Sequence, residues 1–327
     1  MRRTTLSHTV LVSAALLASA CALEKSDEAD GFREAVPQAA AVSVAGPERA
    51  ARTSQALSAS DAVPPPAPAE WYVFTREVRD GVNVVTAGVL GAVSRIVRTA
   101  PTSLEPNAAI WGPGSDALDP VSWRIRVERV GDHEYTYQLE GRRKVALPGE
   151  EVFQSVLVGQ GFDRLDERHG DGSFTIDLDA LALLDPAKHG DEAGVVRITH
   201  ELPAEIAHEL APLPRTIRAE VERPDESFDV TSIAHEDGTG ELELDSSVDI
   251  DPTKRTQQER VTVSSRWRAD GAGRADIDIS GGDVGLAIGG FTAVECWGSN
   301  FARAYYSDSE NFAPSEGQPD ACVYPTP

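Results

Sequence analysis

The chain has 327 residues, with 53 acidic against 30 basic side chains, a formal net charge of −23 and 41% hydrophobic residues. That hydrophobic share supports a real core and excludes disorder throughout the chain. The charge argues against nucleic acid and anionic lipid heads as partners, because like charges repel, and the acids fall in short pairs such as Glu150-Glu151 and Asp225-Glu226, the pattern of a solvated surface.

Two arginines, Arg2 and Arg3, lead into an apolar run from Val10 to Leu17, then the small residues Ala18-Ser19-Ala20, then Cys21. This is the three-part layout of an export signal, and the run is too short to span a bilayer, which takes roughly 20 apolar residues. A cysteine directly after the small residues resembles the lipobox of bacterial lipoproteins, although Ala18 stands where that pattern usually has leucine. The resemblance implies removal of residues 1–20 and lipidation of Cys21, with the lipid bilayer as a partner through that anchor. It also implies a place in the bacterial cell envelope, at the outer membrane or cell surface. Ordinary signal cleavage after Ala20 is the alternative. Loss of the two arginines, with no acid removed, would leave the mature chain at −25.

Three cysteines are present, and an odd count in an exported protein asks what the third does. Lipidation of Cys21 removes the oddness and leaves Cys296 and Cys322, 26 positions apart, as an expected disulfide in a compartment that permits one.

Residues 21–70 are rich in alanine, serine and acids and carry six prolines, including Pro64-Pro65-Pro66, with Phe32 as the one aromatic. Such a segment lacks the apolar surface to offset its own ordering, so it reads as a disordered tether of roughly 40 Å, with at most a short helix near Gln38 to Val44.

The folded part, 71–327, reads as a single domain. Val78, Val82, Val85, Val89, Ala92 and Ile96 recur at helical spacing, giving one N-terminal packing helix over about 75–98 with Thr75 as N-cap and Pro101 beyond its end. Gly81, Gly88 and Gly91 each cost about 1 kcal/mol inside a helix, so close packing against a sheet is expected at those positions. The connection from Thr99 to Pro120 carries Trp111 beside a Gly-Pro-Gly turn; it reads as a core plug, or more sharply as an exposed ligand platform.

From Trp123 onward about ten short runs alternate apolar and polar residues, from Trp123-Ile125-Val127 to Ala275-Ile277-Ile279. Asp171-Gly172, Asp237-Gly238 and Asp270-Gly271 read as turns between them, the first two as tips of a weak internal repeat. The fold class is therefore mainly β: an antiparallel meander forming a curved sheet, half-barrel or barrel-like domain over one helix, with a sandwich as the other way to hide the apolar face. The segment 291–327 holds six aromatics between Trp297 and Tyr324, among them Tyr305 and Tyr306, in and around the span of the two cysteines. It reads as an irregular loop-rich lid stapled by the disulfide, with an aromatic ligand site as the sharper alternative.

Chemistry is sparse. His200-Glu201 and His208-Glu209 lie eight apart with Pro203 between them, the wrong spacing for a zinc-protease helix, and no Gly-x-Ser-x-Gly elbow or phosphate loop is present. Asp245, Asp249 and Asp251 are weak calcium candidates in a spacing that does not match an EF-hand. No catalytic residue and no cofactor is assigned; Asp177, Asp179 and Asp185 are acids available to an envelope hydrolase. The leading expectation is a membrane-anchored, non-catalytic binding or structural module with an unknown envelope ligand or protein partner. The alternative resembles the lipoprotein-carrier and lipid-binding half-barrels of bacterial envelopes, which implies acyl chains held beneath a curved sheet.

Overall fold

The computed structural model describes residues 29–48, 67–145, 152–166, 168–203, 213–250 and 257–324. The export signal, Cys21, Asp251 and His208 lie outside them. The described chain forms one antiparallel sheet of fifteen strands whose order in space is their order in sequence, β1 (Ser103–Glu105) to β15 (Glu316–Gly317). The sheet does not close: β1 and β15 are both edges. Most neighbouring strands are joined by turns, as a period-2 pattern broken by turn residues dictates, while Asp177 to Val195 passes through the short helices Leu178–Leu184 and Pro186–His189.

One face is apolar because the alternation keeps register across the hairpins. Ile125 and Val127 of β3 (Val121–Gly131) pair with Leu139 and Tyr137 of β4 (Glu134–Arg143). Ile198 of β7 (Val195–Leu202) pairs with Ala219 of β8 (Arg215–Glu222), and Val263 of β11 (Glu259–Trp267) with Ile277 of β12 (Gly273–Gly281). All of these side chains are buried. The opposite face is wet and laced with cross-strand pairs such as Arg124–Glu140 at 2.7 Å and Arg260 Nε to Asp245 at 3.0 Å; exposed pairs of this kind stabilise little.

The long helix, Glu70–Val97, crosses the apolar face from the β11–β14 side at its N-terminus to the β2–β3 side at its C-terminus. Nine of its residues, from Tyr72 to Val97, are buried along one stripe. It is long and apolar enough to cross a membrane, yet that stripe is spent on the sheet. The helix begins five residues before the expected Thr75 because its cap comes from elsewhere. Glu295 of β13 (Phe291–Trp297), fully buried, accepts the backbone N–H groups of Trp71 at 2.6 Å and Glu70 at 3.2 Å and receives Arg303 Nε at 2.6 Å. A carboxylate at a helix N-terminus satisfies orphan donors and meets the positive end of the dipole. Thr75 instead lies inside the helix, its hydroxyl 2.7 Å from that of Ser265 on β11.

The expected tether is corrected over residues 29–48, which are part of the core. Phe32 is fully buried, edge-on to Tyr135 at 6.2 Å with Arg129 over its ring, and Ala35, Val36, Val42 and Val44 are buried too. The segment makes no core of its own; it lies as a strap along the helix and borrows the sheet's. Its backbone groups find partners there: Asn83 brackets Val44 with bonds of 2.8 and 2.9 Å, and Ser232 Oγ accepts from Ala45 N at 3.0 Å. At Gln38 to Val44 it forms a single turn, not a helix.

Further corrections concern the edges of the sheet. Thr99 to Pro120 contains β1 and β2 (Ala108–Gly114), so Trp111 is a strand residue. The expected C-terminal lid is mostly sheet, with β13 and β14 (Arg303–Asp308) extending the meander. Only the tail beyond is irregular; the Cys296–Cys322 disulfide and Arg274, which donates to the Tyr324 carbonyl at 3.2 Å, pin it to the outer face. Asp171-Gly172 is not a turn but lies within β6 (His169–Asp177), where glycine is required because a Cβ would strike Gln160 O and the His200 ring. The internal repeat therefore has only its second tip, Asp237-Gly238, which turns with Gly238 at φ +83°.

Gly81, Gly88 and Gly91 are corrected as well. They point off the buried stripe, with nothing within 4 Å of where a Cβ would stand. Gly81→Ala should therefore stabilise the protein by about 1 kcal/mol, the helix-propensity difference, as a raised denaturant midpoint at unchanged m-value; a lower midpoint would show hidden crowding on that face.

Candidate functional site

At about 3.6 residues per turn, Asn83 lies on one flank of the buried helical stripe and Val85, Gly88 and Ala92 on the other. The strap covers the Asn83 flank. Along the other runs a groove of about 500 Å³. Val85, Val89 and Ala92 form its helical wall, Trp123 and Leu139 its sheet floor, and Leu181 of the short helix Leu178–Leu184 the facing wall. Gly88 widens it, since a side chain there would project into open space.

Charged groups sit around this apolar trough. Asp119 is engaged by Val121 N at 2.9 Å and Trp123 Nε1 at 3.2 Å, and His189 Nδ1 lies 3.0 Å from Glu192 Oε1. Arg95, Asp185 and Lys188 also line the mouth. Among the described residues no hydroxyl or thiol side chain lines the groove, so it offers no side-chain nucleophile of the serine or cysteine kind. Its volume and its apolar walls with a few polar groups match a small-molecule binding site.

The groove opens at one end of the sheet. The register carries this end from Val121 of β3 through Gln154 of β5, Val195 of β7 and Glu259 of β11 to Phe291 of β13. The connections there bear Leu118, Val145, Val152, Leu183, Ile250, Ile288 and Phe312, all exposed. Two carboxylates hold parts of this end in place. Glu259, almost fully buried, accepts from Ile250 N at 3.2 Å and from Asp283 N at 2.8 Å at the start of the helix Gly282–Ile288. Burial alone would raise its carboxyl, but these backbone N–H groups hold it below the ordinary glutamate range. Asp308, likewise pushed up by burial, is brought below its ordinary value by Ala313 N, Phe312 N, the Tyr306 hydroxyl and Glu310 N.

The residues expected to form sites are mostly elsewhere. Trp111 and Trp297 are fully buried and donate their indole N–H to Thr99 O at 3.0 Å and Gly271 O at 2.9 Å, so both are core plugs, not platforms. Tyr306 is buried with its hydroxyl donating to Asp308 at 3.1 Å; burial and that bond push it up to about 12. Tyr305 is half-buried on β14 and lines neither the groove nor the polar pocket below. Among the calcium candidates Asp245 is held by Arg260, Asp249 is half-buried, and the described residues contain no cluster suited to a metal. Asp177 caps the helix Leu178–Leu184 through Ala180 N at 2.8 Å, and Asp179 accepts from Gly194 N at 3.1 Å. Only Asp185 reaches the groove.

A second, polar pocket of about 600 Å³ lies between strap, helix and the opposite end of the sheet. Its central cation, Arg79, is already held by Glu48 at 2.9 Å and Asp80 at 2.6 Å. No protein-family model, curated protein or solved structure matches the chain.

The sequence reading missed the groove because its lining is drawn from positions 84 to 192. The available signal was Gly88, an expensive residue in the middle of a helix. Because the folded carboxyl of Glu259 sits below its unfolded value of about 4.3, its stabilisation is full above that pH and drains away as pH falls through the lower folded value. Denaturant midpoints should accordingly drop more steeply from pH 5 to pH 3 in the native protein than in Glu259→Gln; equal slopes would remove this carboxylate from the acid response.

Proposed function

We propose that the protein is an exported envelope lipoprotein, held to the bilayer through Cys21, whose open half-barrel is a non-catalytic binding module for a ligand with a hydrocarbon portion. The observation that carries this reading is the groove of about 500 Å³ along the uncovered flank of the long helix. Its apolar walls would take the hydrocarbon, where each buried methylene is worth about 0.8 kcal/mol, and its charged mouth leaves a polar head in water. The reading joins an anchor, which needs no active site, to the fold class of a helix-filled sheet, and it assigns no catalytic residue and no cofactor.

The anchor and the groove are tested separately. Cys21→Ser should move the protein from the membrane to the soluble fraction; persistence in the membrane would refute lipidation. Native mass spectrometry of that soluble form should then find a discrete lipid-sized adduct. Gly88→Leu should abolish the adduct while keeping the fold, because no atom lies within 4 Å of the new Cβ. An empty wild-type protein, or an adduct that survives Gly88→Leu at full occupancy, would rule out the groove as its site.

A further inference from the structure

Of the twelve large apolar side chains left exposed among the described residues, seven stand on connections at the groove's end of the sheet. Every connection at that end contributes at least one except Arg223 to Glu226, and the one between β4 and β5 contributes both Val145 and Val152. Monomeric soluble proteins scatter such residues singly; concentration at one end marks an interaction surface. The same end is strongly acidic. Its described connections carry eleven acids against three bases, whereas those at the opposite end carry four against two.

The strap fixes where this end can point. It enters the fold at the other end: a Cβ on Gly31 would lie 3.7 Å from the guanidinium of Arg129, at the far end of β3 from Val121. Eight residues of strand separate those two ends, about 27 Å at ~3.4 Å per residue. From Cys21 to Ala29 there are eight links, which span at most about 29 Å even fully extended. Turning the apolar end toward the anchoring bilayer would therefore take nearly the whole chain length available. Its carboxylates would also be repelled by anionic lipid heads.

From these observations we infer that the groove's end of the sheet is a docking face for a protein with a basic rim around an apolar centre, presented away from the anchoring membrane. The chemistry is complementary on both counts: the apolar side chains supply the contact that excludes water, and the surrounding carboxylates steer a cationic partner and fix its orientation. A second copy of this chain would bring acids against acids and is disfavoured. Buried Glu259 and Asp308 keep Ile250, Ile288 and Phe312 in place, so part of the face is preorganised.

The orientation rests on lipidation of Cys21, and the experiment keeps that dependence visible. Full-length lipidated protein is placed in vesicles of phosphatidylcholine and phosphatidylglycerol; failure to float with them is failure of the anchor and is read first. In vesicles with brominated chains, a fluorescent label at Asp132→Cys should be quenched and one at Val145→Cys should not. In cells, a photo-crosslinker at Leu118, Val145 or Leu183 should give the same protein adduct at all three positions, and one at Val158 on the outer face should give none. The adducted protein, purified, should bind at least about tenfold more weakly to Asp116→Lys/Asp185→Lys and lose affinity as salt rises. Gly88→Leu should leave the adduct intact, which separates this face from the groove's ligand. Quenching at Val145→Cys, an adduct with a second copy, adducts no stronger than at Val158, or indifference to charge reversal and salt would each overturn the assignment.

Discussion

One constraint governs the molecule: an open sheet of fifteen strands with one apolar face must have that face covered. Neighbouring strands lie about 4.8 Å apart, so fifteen laid flat would be about 67 Å wide, while a helix of 28 residues is about 42 Å long at 1.5 Å per residue. The helix alone cannot do it. Curvature reduces the demand, the strap covers one flank of the helix, and the short helices Leu178–Leu184 and Gly282–Ile288 lie at the groove's end. Among the described residues, the flank of the helix that faces Trp123 and Leu181 remains uncovered, and there lies the groove. The described cover ends there, which is why the groove is the proposed place for a ligand to complete the core.

The helix can cross the sheet only because its N-terminus is tied to a distant strand. Glu295 sits more than two hundred residues after Trp71, so one side chain ties the start of the helix to the far end of the described chain. A buried carboxylate is costly unless its partners are complete; here two backbone N–H groups and Arg303 complete them. The same solution recurs at Glu259, where a strand carboxylate caps a short helix. An acidic protein thus uses some of its negative charge internally, at helix and turn N-terminal ends, where it is an asset.

What was legible in the sequence followed from local physics. Alternation placed β3 to β12, spacing placed the helix, and cysteine arithmetic placed the disulfide. The strands at either edge were missed where the pattern is short or irregular, as in β1, or where aromatics masked it, as in β13 and β14. The strap was misread for a deeper reason. Composition reports whether a segment can bury itself, not whether it can be buried by others, and Phe32 with Val44 suffices when Asn83 and Ser232 serve the backbone. The helix start was misread in the same way, because a local search for a cap cannot see Glu295. The candidate site was the least legible of all. Its walls are ordinary core-type residues, and only the missing side chain at Gly88 distinguishes them.

The strap also changes what an anchor would do. A tether of about fifty free residues would let the domain tumble and present any face. With residues 29–48 packed against the helix, a lipid at Cys21 would instead be a short leash attached at one end of the strands, and an anchor of that length would impose direction as well as location. Under the proposed anchor the ends of the sheet would differ in direction as well: one would be bound toward the bilayer by chain length, and the other, with its exposed apolar side chains, carboxylates and groove mouth, would face whatever shares the compartment. Position of attachment, together with the uneven apolar and acidic side chains of the two ends, would then give the meander a front and a back.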